Sequence, residues 1–506
     1  MEDAAPHIGA QWQALARRYG ERPAIVDDAG SWTYRDITQR IARFASALLA
    51  LGLRRGERVA LLMPDVREYL EADYAIMSAG LVRVPLDPRL TAAELAALLR
   101  HVEARALVTH ASLVPAVSSL TRELQTPGLV ISVGGAAGLD YEHLLQNASD
   151  EHLPIGDGND LASLNLSGGT TGTPKAAMLC HRNLVTAACT TIRGFDIGED
   201  GIFLNVRPLW PIAQVILMSY LFAGATVALG RFDPATLADT VARSGATRTS
   251  LVPTQLVRWL DHLSACDSRL DRLQAIHVGG SRIPPAVFER ALQLIGPKIG
   301  VLYGLTEAPI TCYLPPRRLV DEGGQRQRLI HSVGQALPGY EVAIAGSDVA
   351  HGGAGEILIR GGNVMAGYWR NPAESALALR DAWLHTGDIG RFDPAGNLFI
   401  VGRIKEVIRS GSSTIIPQEV EDVLARHPAV AEVAVVGLPD AEWGEAVTAF
   451  VVLQRGISAS ERELIEHCRS QLAGYKKPRS IRFVASLPRS HYGKVLRTQL
   501  LASESN

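Results

Sequence analysis

At 506 residues the chain is too long for one hydrophobic core, so two or more domains are expected. Apolar residues make up 47% and charged residues 20%, an ordinary folded composition, and a net charge of −2 argues against a basic nucleic-acid-binding surface. The five cysteines (Cys180, Cys189, Cys266, Cys312 and Cys468) are odd in number and form no C-x-x-C pair. A reduced, cytoplasmic setting follows from that pattern. The first residues, Met1-Glu-Asp-Ala-Ala-Pro6, are acidic and carry no signal-peptide core.

In chain order, short apolar runs alternate with amphipathic stretches. Residues 58–63 read as a strand and 68–78 as a helix; 82–86 as a strand and 91–101 as a helix. A strand over 161–166 runs into Ser167-Gly-Gly-Thr-Thr-Gly-Thr-Pro-Lys175. Residues 208–230 carry no charge and are numerous enough to span a bilayer. Pro211, Gln214 and Gly224 interrupt them, and 225–229 has a strand pattern, so a buried helix followed by a buried strand is predicted. Strands over 248–252, 273–278 and 300–303 continue the beat, with helices between. The rhythm predicts an α/β architecture with largely parallel sheets.

Past Tyr340 the pattern changes. Residues 341–345 and 356–360 read as hairpin-type strands, a small antiparallel element. The tail predicts a helix over 417–426, strands over 431–436 and 446–453, a helix over 460–472 and a final strand. About 100 residues suffice for a separate α+β domain. Because 385–411 is polar and rich in Gly and Arg, the boundary is expected at 402, giving domains over 1–402 and 403–506.

The loop over 167–175 is the most informative stretch. Glycines let backbone N–H groups approach an anion, threonine hydroxyls add donors, and lysine adds a point charge. It reads as a polyphosphate-holding loop, although a lone Gly-rich segment is also an ordinary connection. It is not a Walker loop, because Pro174 precedes Lys175 and Ala176 follows it.

Four more motifs share its chemistry. Tyr303-Gly-Leu-Thr-Glu307 ends a predicted strand, where ligands sit in open α/β sheets, and a Thr–Glu pair there can hold Mg²⁺ or simply start a helix. Trp383-Leu-His-Thr-Gly-Asp-Ile389 offers a turn carboxylate for ribose hydroxyls, or a plain turn aspartate. Gly402-Arg-Ile-Lys-Glu406 is, on spacing alone, a charged linker, and Pro488-Arg-Ser-His-Tyr-Gly-Lys494 an exposed lysine loop.

In this order and spacing, the segments resemble the AMP-forming adenylating enzymes: acyl-CoA synthetases, adenylation domains and luciferases. The resemblance runs from Trp32-Thr-Tyr34 to Lys494 and includes Gly355-Glu-Ile-Leu-Ile-Arg-Gly361, Met365-Ala-Gly-Tyr-Trp369, Gly437-Leu-Pro-Asp440 and Trp443-Gly-Glu445. It implies a large N-terminal domain and a mobile C-terminal domain with a hinge at Lys405. By that likeness Ser167, Gly168, Gly169, Thr170, Thr171 and Lys175 line the phosphate loop. Gly279, Gly280 and Ser281 form the wall of the adenine and acyl pockets, and Tyr303, with Gly304 beside it, stacks near adenine. Thr306 and Glu307 contact phosphate and magnesium, with Thr170 a second magnesium contact. Asp388 and Arg403 hold the ribose, and Lys494 is the catalytic lysine.

The activity so implied is ATP-dependent conversion of a carboxylic acid to an acyl-adenylate, then transfer to the thiol of CoA. A separate carrier protein's phosphopantetheine is the alternative acceptor, and a non-catalytic nucleotide sensor is the alternative from another class. The loop Leu166-Ser-Gly-Gly-Thr-Thr-Gly-Thr-Pro-Lys175 resembles the aryl-acid-activating branch. However, Pro208-Leu-Trp-Pro-Ile-Ala-Gln214 lacks the His-Asn pair common there, which argues against a dihydroxybenzoate-type acid. Trp210 is a candidate cap on an apolar acyl group or a core residue, and Gln214 reads a polar substituent or caps backbone. His277 faces the acyl pocket or is a strand-end histidine satisfied by backbone. The expected substrate is a mostly apolar acid, aromatic acids included.

Overall fold

The computed structural model describes residues 7–503 apart from 114, 116, 119, 121–128, 136, 152–155, 168–174, 211–212, 321–323, 347–352 and 490–494. The chain forms two compact units. The first comprises Met1–Glu341 and Ile359–Leu384, the second Val342–Leu358 and His385–Asn506.

Among the described residues the first unit holds two sheets. In the seven-stranded one, Leu139–Asp140, Leu129–Val133, Ala104–His110, Arg58–Leu62, Val82–Pro85 and Leu161–Ser167 run parallel, and Lys175–Cys180 closes the edge antiparallel. In the nine-stranded one, Ile299–Leu305, Ala275–Val278, Arg248–Leu251, Ile202–Asn205, Thr226–Leu229 and Pro23–Asp27 are the parallel centre. Antiparallel strands edge it: Ala308–Leu314 and Gln335–Ala336 on one side, Gly30–Thr33 on the other.

Local chemistry explains the element ends. Thr91 caps helix Ala92–Val102 through a reciprocal box with Glu94, and Ser460 does the same with Glu463 for helix Glu461–Arg469. The uncharged stretch becomes helix Ala213–Phe222 and strand Thr226–Leu229, as its sequence predicts. Among the described residues no helix is long and apolar enough to cross a membrane.

In the second unit, strand Trp383–Phe392 pairs with Leu398–Arg403 from Asp388 onward. The longer of the unit's two stretches begins at His385. A second sheet runs in the order Ser413–Ile415, Ile408–Ser410, Gly444–Leu453, Val430–Asp440, with Ser480–Phe483 parallel to Gly444–Leu453. Helices Pro417–Leu424 and Glu461–Arg469 bury Val420, Leu424, Leu464 and Cys468 against it. This is the α+β tail the sequence predicts.

Candidate active site

The phosphate-type loop is the turn of a β-hairpin. Strands Leu161–Ser167 and Lys175–Cys180 are antiparallel, and Ser167 pairs directly with Lys175. The two residues that flank the turn therefore lie at one level in the sheet. Gly168, Gly169, Thr170 and Thr171 lie outside the described residues, as does the side chain of Ser167. Beneath the hairpin a buried ion pair braces its first strand. Arg83 is 3.0 Å from Asp73 and donates to Asn165 Oδ1 (3.3 Å), which also accepts from Ser163 Oγ (3.2 Å). Burying a guanidinium is tolerable only with such partners.

A second hairpin holds the Thr–Glu motif. Strands Ile299–Leu305 and Ala308–Leu314 are antiparallel and leave only Thr306 and Glu307 as the connection. The register shifts between Tyr303 and Leu305. At Gly304 a Cβ would run into the backbone nitrogen of Ile310, so only glycine fits. Ile310 is held at φ +44°, a strained value for a β-branched residue. Strain of this kind persists where surrounding structure over-determines the chain.

The segment Met365–Trp369 stitches the two hairpins together. Met365 N–H donates to the Glu307 carbonyl (2.8 Å). Ala366 N–H donates to Met178 O and Met178 N–H to Gly367 O (both 2.9 Å), and Trp369 N–H donates to Ala176 O (2.8 Å). Asn183 anchors the approach to this segment. Its amide donates to the carbonyls of Gly362 (2.8 Å) and Val364 (3.0 Å) while its oxygen accepts from Cys180 N–H (2.9 Å). Tyr368 thereby sits between the two turns. Its hydroxyl donates to Glu307 Oε1 (2.8 Å), and the Lys175 ammonium lies 5.0 Å from its ring centroid. Lys175 also pairs with Glu374 on helix Pro372–Ala378. Sequence reasoning missed Tyr368 and Glu374 as site residues. Met365–Trp369 carried a family likeness but no periodicity, and Glu374 lies 199 positions from its partner.

The candidate acyl side is built at the ends of the parallel strands. Asn205, Ser250, His277 and Gly300 pair in one row across four strands. His277 is fully buried; Nε2 lies 2.7 Å from the Tyr220 hydroxyl and Nδ1 2.9 Å from that of Tyr313. Phe195 and Phe203 flank the ring, and burial pushes its pKa down to about 3. It is satisfied by two tyrosines, where backbone was the expected partner. Gly279 is packed so closely on Leu302 that a Cβ would collide, and Gly280 has φ +93°. Ser281 is half-buried and Tyr303 buried. Trp210 is buried with the Arg89 guanidinium 4.9 Å from its ring, and Leu209 N–H donates to Asp65 Oδ1 (2.7 Å). Gln214 opens helix Ala213–Phe222; its side chain lies outside the described residues.

In the second unit, Asp388 and Arg403 are cross-strand partners, with Arg403 Nε 2.7 Å from Asp388 Oδ1. The carboxylate side chain is 5% exposed and the guanidinium 45%. The turn before them is rigid. Glu356 accepts from Gly387 N–H (3.0 Å) and lies 2.8 Å from His385 Nδ1, and Thr386 Oγ1 donates to Ile357 O (2.7 Å). Lys405 is exposed on the single turn Ile404–Glu406. Lys494 lies outside the described residues; beside it, Arg489 and Val495 form an isolated bridge and Leu496 N–H donates to Pro488 O (2.8 Å).

The sequence pattern of the AMP-binding enzyme family matches residues 11–369, and that of the AMP-binding enzyme C-terminal domain matches 419–494. The chain belongs to this family. A feruloyl-CoA synthase of an Amycolatopsis species is 34% identical over 501 residues, covering 97% of each chain. ATP-bound MatB from Rhodopseudomonas palustris superposes with a TM-score of 0.90 at 27% identity over 99% of both chains. The o-succinylbenzoate CoA synthetase MenE from Bacillus subtilis, in complex with its acyl-adenylate intermediate, gives a TM-score of 0.84 at 28% identity over 97% of both. This AMP-binding enzyme is an ATP-dependent, AMP-forming acid–thiol ligase.

Proposed function

We propose that this AMP-binding enzyme activates a mostly apolar carboxylic acid, aromatic acids included, and passes the acyl group to CoA. The observation that carries the proposal is the row Lys175–Tyr368–Glu307, two hairpin turns stitched side by side within a chain that matches a feruloyl-CoA synthase over 97% of both lengths. MenE, an o-succinylbenzoate CoA synthetase, also supports an aryl acid.

The acid, with a reference pKa of roughly 4, is already ionised at neutral pH, so no general base is needed. The obstacle is bringing one anion up to another, and catalysis is positioning plus charge stabilisation. Lys175 at the hairpin base meets the phosphates, and the backbone of the loop over 167–171 cradles them. Tyr303, Gly304, Gly280 and Ser281 border the adenine. Asp388 accepts the ribose hydroxyls, held in place by Arg403 (2.7 Å). Lys494 bridges the carboxylate and the α-phosphate. The acyl group lies against Gly279, Trp210 and Gln214. His277 acts behind that surface, since tyrosine hydroxyls lie within hydrogen-bond distance of both its ring nitrogens.

Magnesium is implied by the family, and Glu307 suits it. The residue offers a carboxylate at a hairpin tip beside Thr306, with Oε1 oriented by Tyr368, and this ion takes one or two protein carboxylates with phosphates completing its shell. When bound it supplies charge neutralisation at the phosphates, with Thr170 and Thr306 as hydroxyl partners. The moving domain comprises 403–506 with its hinge at Lys405. The five free cysteines agree with a cytoplasmic setting.

The test is acyl-CoA and AMP formation across aryl, short-chain and medium-chain acids, with CoA or a phosphopantetheinylated carrier protein as acceptor. Apolar and aryl acids with CoA should give the highest kcat/KM. Turnover only with the carrier protein, or only with small polar acids, would contradict the proposal.

A further inference from the structure

We propose that Tyr368 is a positioning residue that holds the Glu307 carboxylate and the Lys175 ammonium in their nucleotide-facing orientations. This rests on the reading of Glu307 as the magnesium-facing carboxylate.

Two observations carry it. First, Tyr368 touches both charges by different parts of one side chain: the hydroxyl donates to Glu307 Oε1 (2.8 Å), while the ring lies 5.0 Å from Lys175 Nζ, inside cation–π range. The hydrogen bond engages Oε1, so Oε2 is the oxygen that remains for a cation. Second, the tyrosine is itself fixed. It is 8% exposed, its N–H donates to Ser375 Oγ (2.8 Å), and it forms a bridge with Ala177, on the strand that begins at Lys175. Lys175 keeps its ion pair with Glu374 in any case; without the tyrosine between them, the Glu307 carboxylate on the adjacent turn can swing toward that pair and away from the nucleotide.

The side chain's two parts make the test selective. Tyr368→Phe removes the hydroxyl and keeps the ring; Tyr368→Leu removes both. ATP binding is measured by calorimetry on the full chain, once with magnesium and once with EDTA, and the magnesium dependence of pyrophosphate exchange is recorded in parallel. Tyr368→Phe is expected to raise the magnesium needed for half-maximal exchange by about tenfold and to leave ATP affinity in EDTA unchanged. Tyr368→Leu should also weaken ATP binding in EDTA, because Lys175 loses its support. Wild-type magnesium dependence in Tyr368→Phe would overturn the proposal, as would equal loss in both variants under both conditions. Glu307→Gln, run alongside, separates the two layers. If it too keeps wild-type magnesium dependence, the assignment of Glu307 fails and Tyr368 falls with it; if only Glu307→Gln shifts, the role of Tyr368 alone is refuted.

Discussion

At the scale of single residues, burial decides what the titratable groups can do. His277 and His181 are both fully buried, and burial pushes each to about 3. His181 stacks on His7 with ring centroids 3.8 Å apart. An unfolded histidine titrates near roughly 6.5. As pH falls below that value the unfolded chain takes up protons that the folded chain refuses. Stability is therefore fully present above about pH 6.5 and lost on the way down toward the folded pKa, at up to about 1.4 kcal/mol per pH unit for each histidine. The melting temperature should fall between pH 7 and pH 5, and the fall should be smaller in His277→Gln. An unchanged slope in that variant would mean that His277 is not held neutral by the fold. Its sequence neighbourhood left its role open because its two partners, Tyr220 and Tyr313, lie 57 and 36 positions away.

At the scale of elements, many parallel strands were legible, while Pro23–Asp27, Ala104–His110, Leu129–Val133 and Ile202–Asn205, and two antiparallel edge strands of the first unit, were not. Strands such as Arg58–Leu62 and Ala275–Val278 are buried on both faces and read as continuous apolar runs. Lys175–Cys180 is rich in Ala and follows a Gly-rich loop, so nothing local marks it as a strand. Ala308–Leu314 was missed because only two residues separate it from its partner. The candidate phosphate residues were proposed without those strands, because glycine and threonine composition reads as a phosphate signal by itself. What composition could not give was their relation: the loop is a hairpin tip, and the Thr–Glu motif is a second tip beside it. That relation depends on Asn183. Asn183→Ala leaves the buried Cys180 N–H without its partner, at a cost of about 1–3 kcal/mol, and removes the donor from two part-buried carbonyls. The variant should melt several degrees lower and lose pyrophosphate exchange more than in proportion. A wild-type exchange rate in a measurably destabilised variant would show that the stitching does not position the turns.

At the scale of the whole molecule, the proposed division of labour gives adenylation to Lys494 and thiol transfer to a movement at Lys405. The sequence carried the tail's α+β character well, since its helices and strands have clean periods. It did not reveal the pairing of Asp388 with Arg403 in the second unit, because that pairing is a long-range fact. Within that unit Arg497, three positions after Lys494, donates to Glu406 (2.9 Å), in the turn that holds Lys405, and to Glu421 (2.7 Å). The turn that holds Lys405 and the helix that follows the lysine loop are thus joined by one guanidinium. Lys405→Pro fixes φ at the hinge. It should spare pyrophosphate exchange and depress transfer from a supplied acyl-adenylate to CoA; loss of exchange instead would refute the hinge assignment. The most direct test is Lys494→Ala assayed for both half-reactions against the wild type. Acid-dependent pyrophosphate exchange should drop by about 10²–10³, while acyl-CoA formation from supplied acyl-adenylate stays near the wild-type rate. Equal loss of both, or exchange that survives without the lysine, would contradict the account.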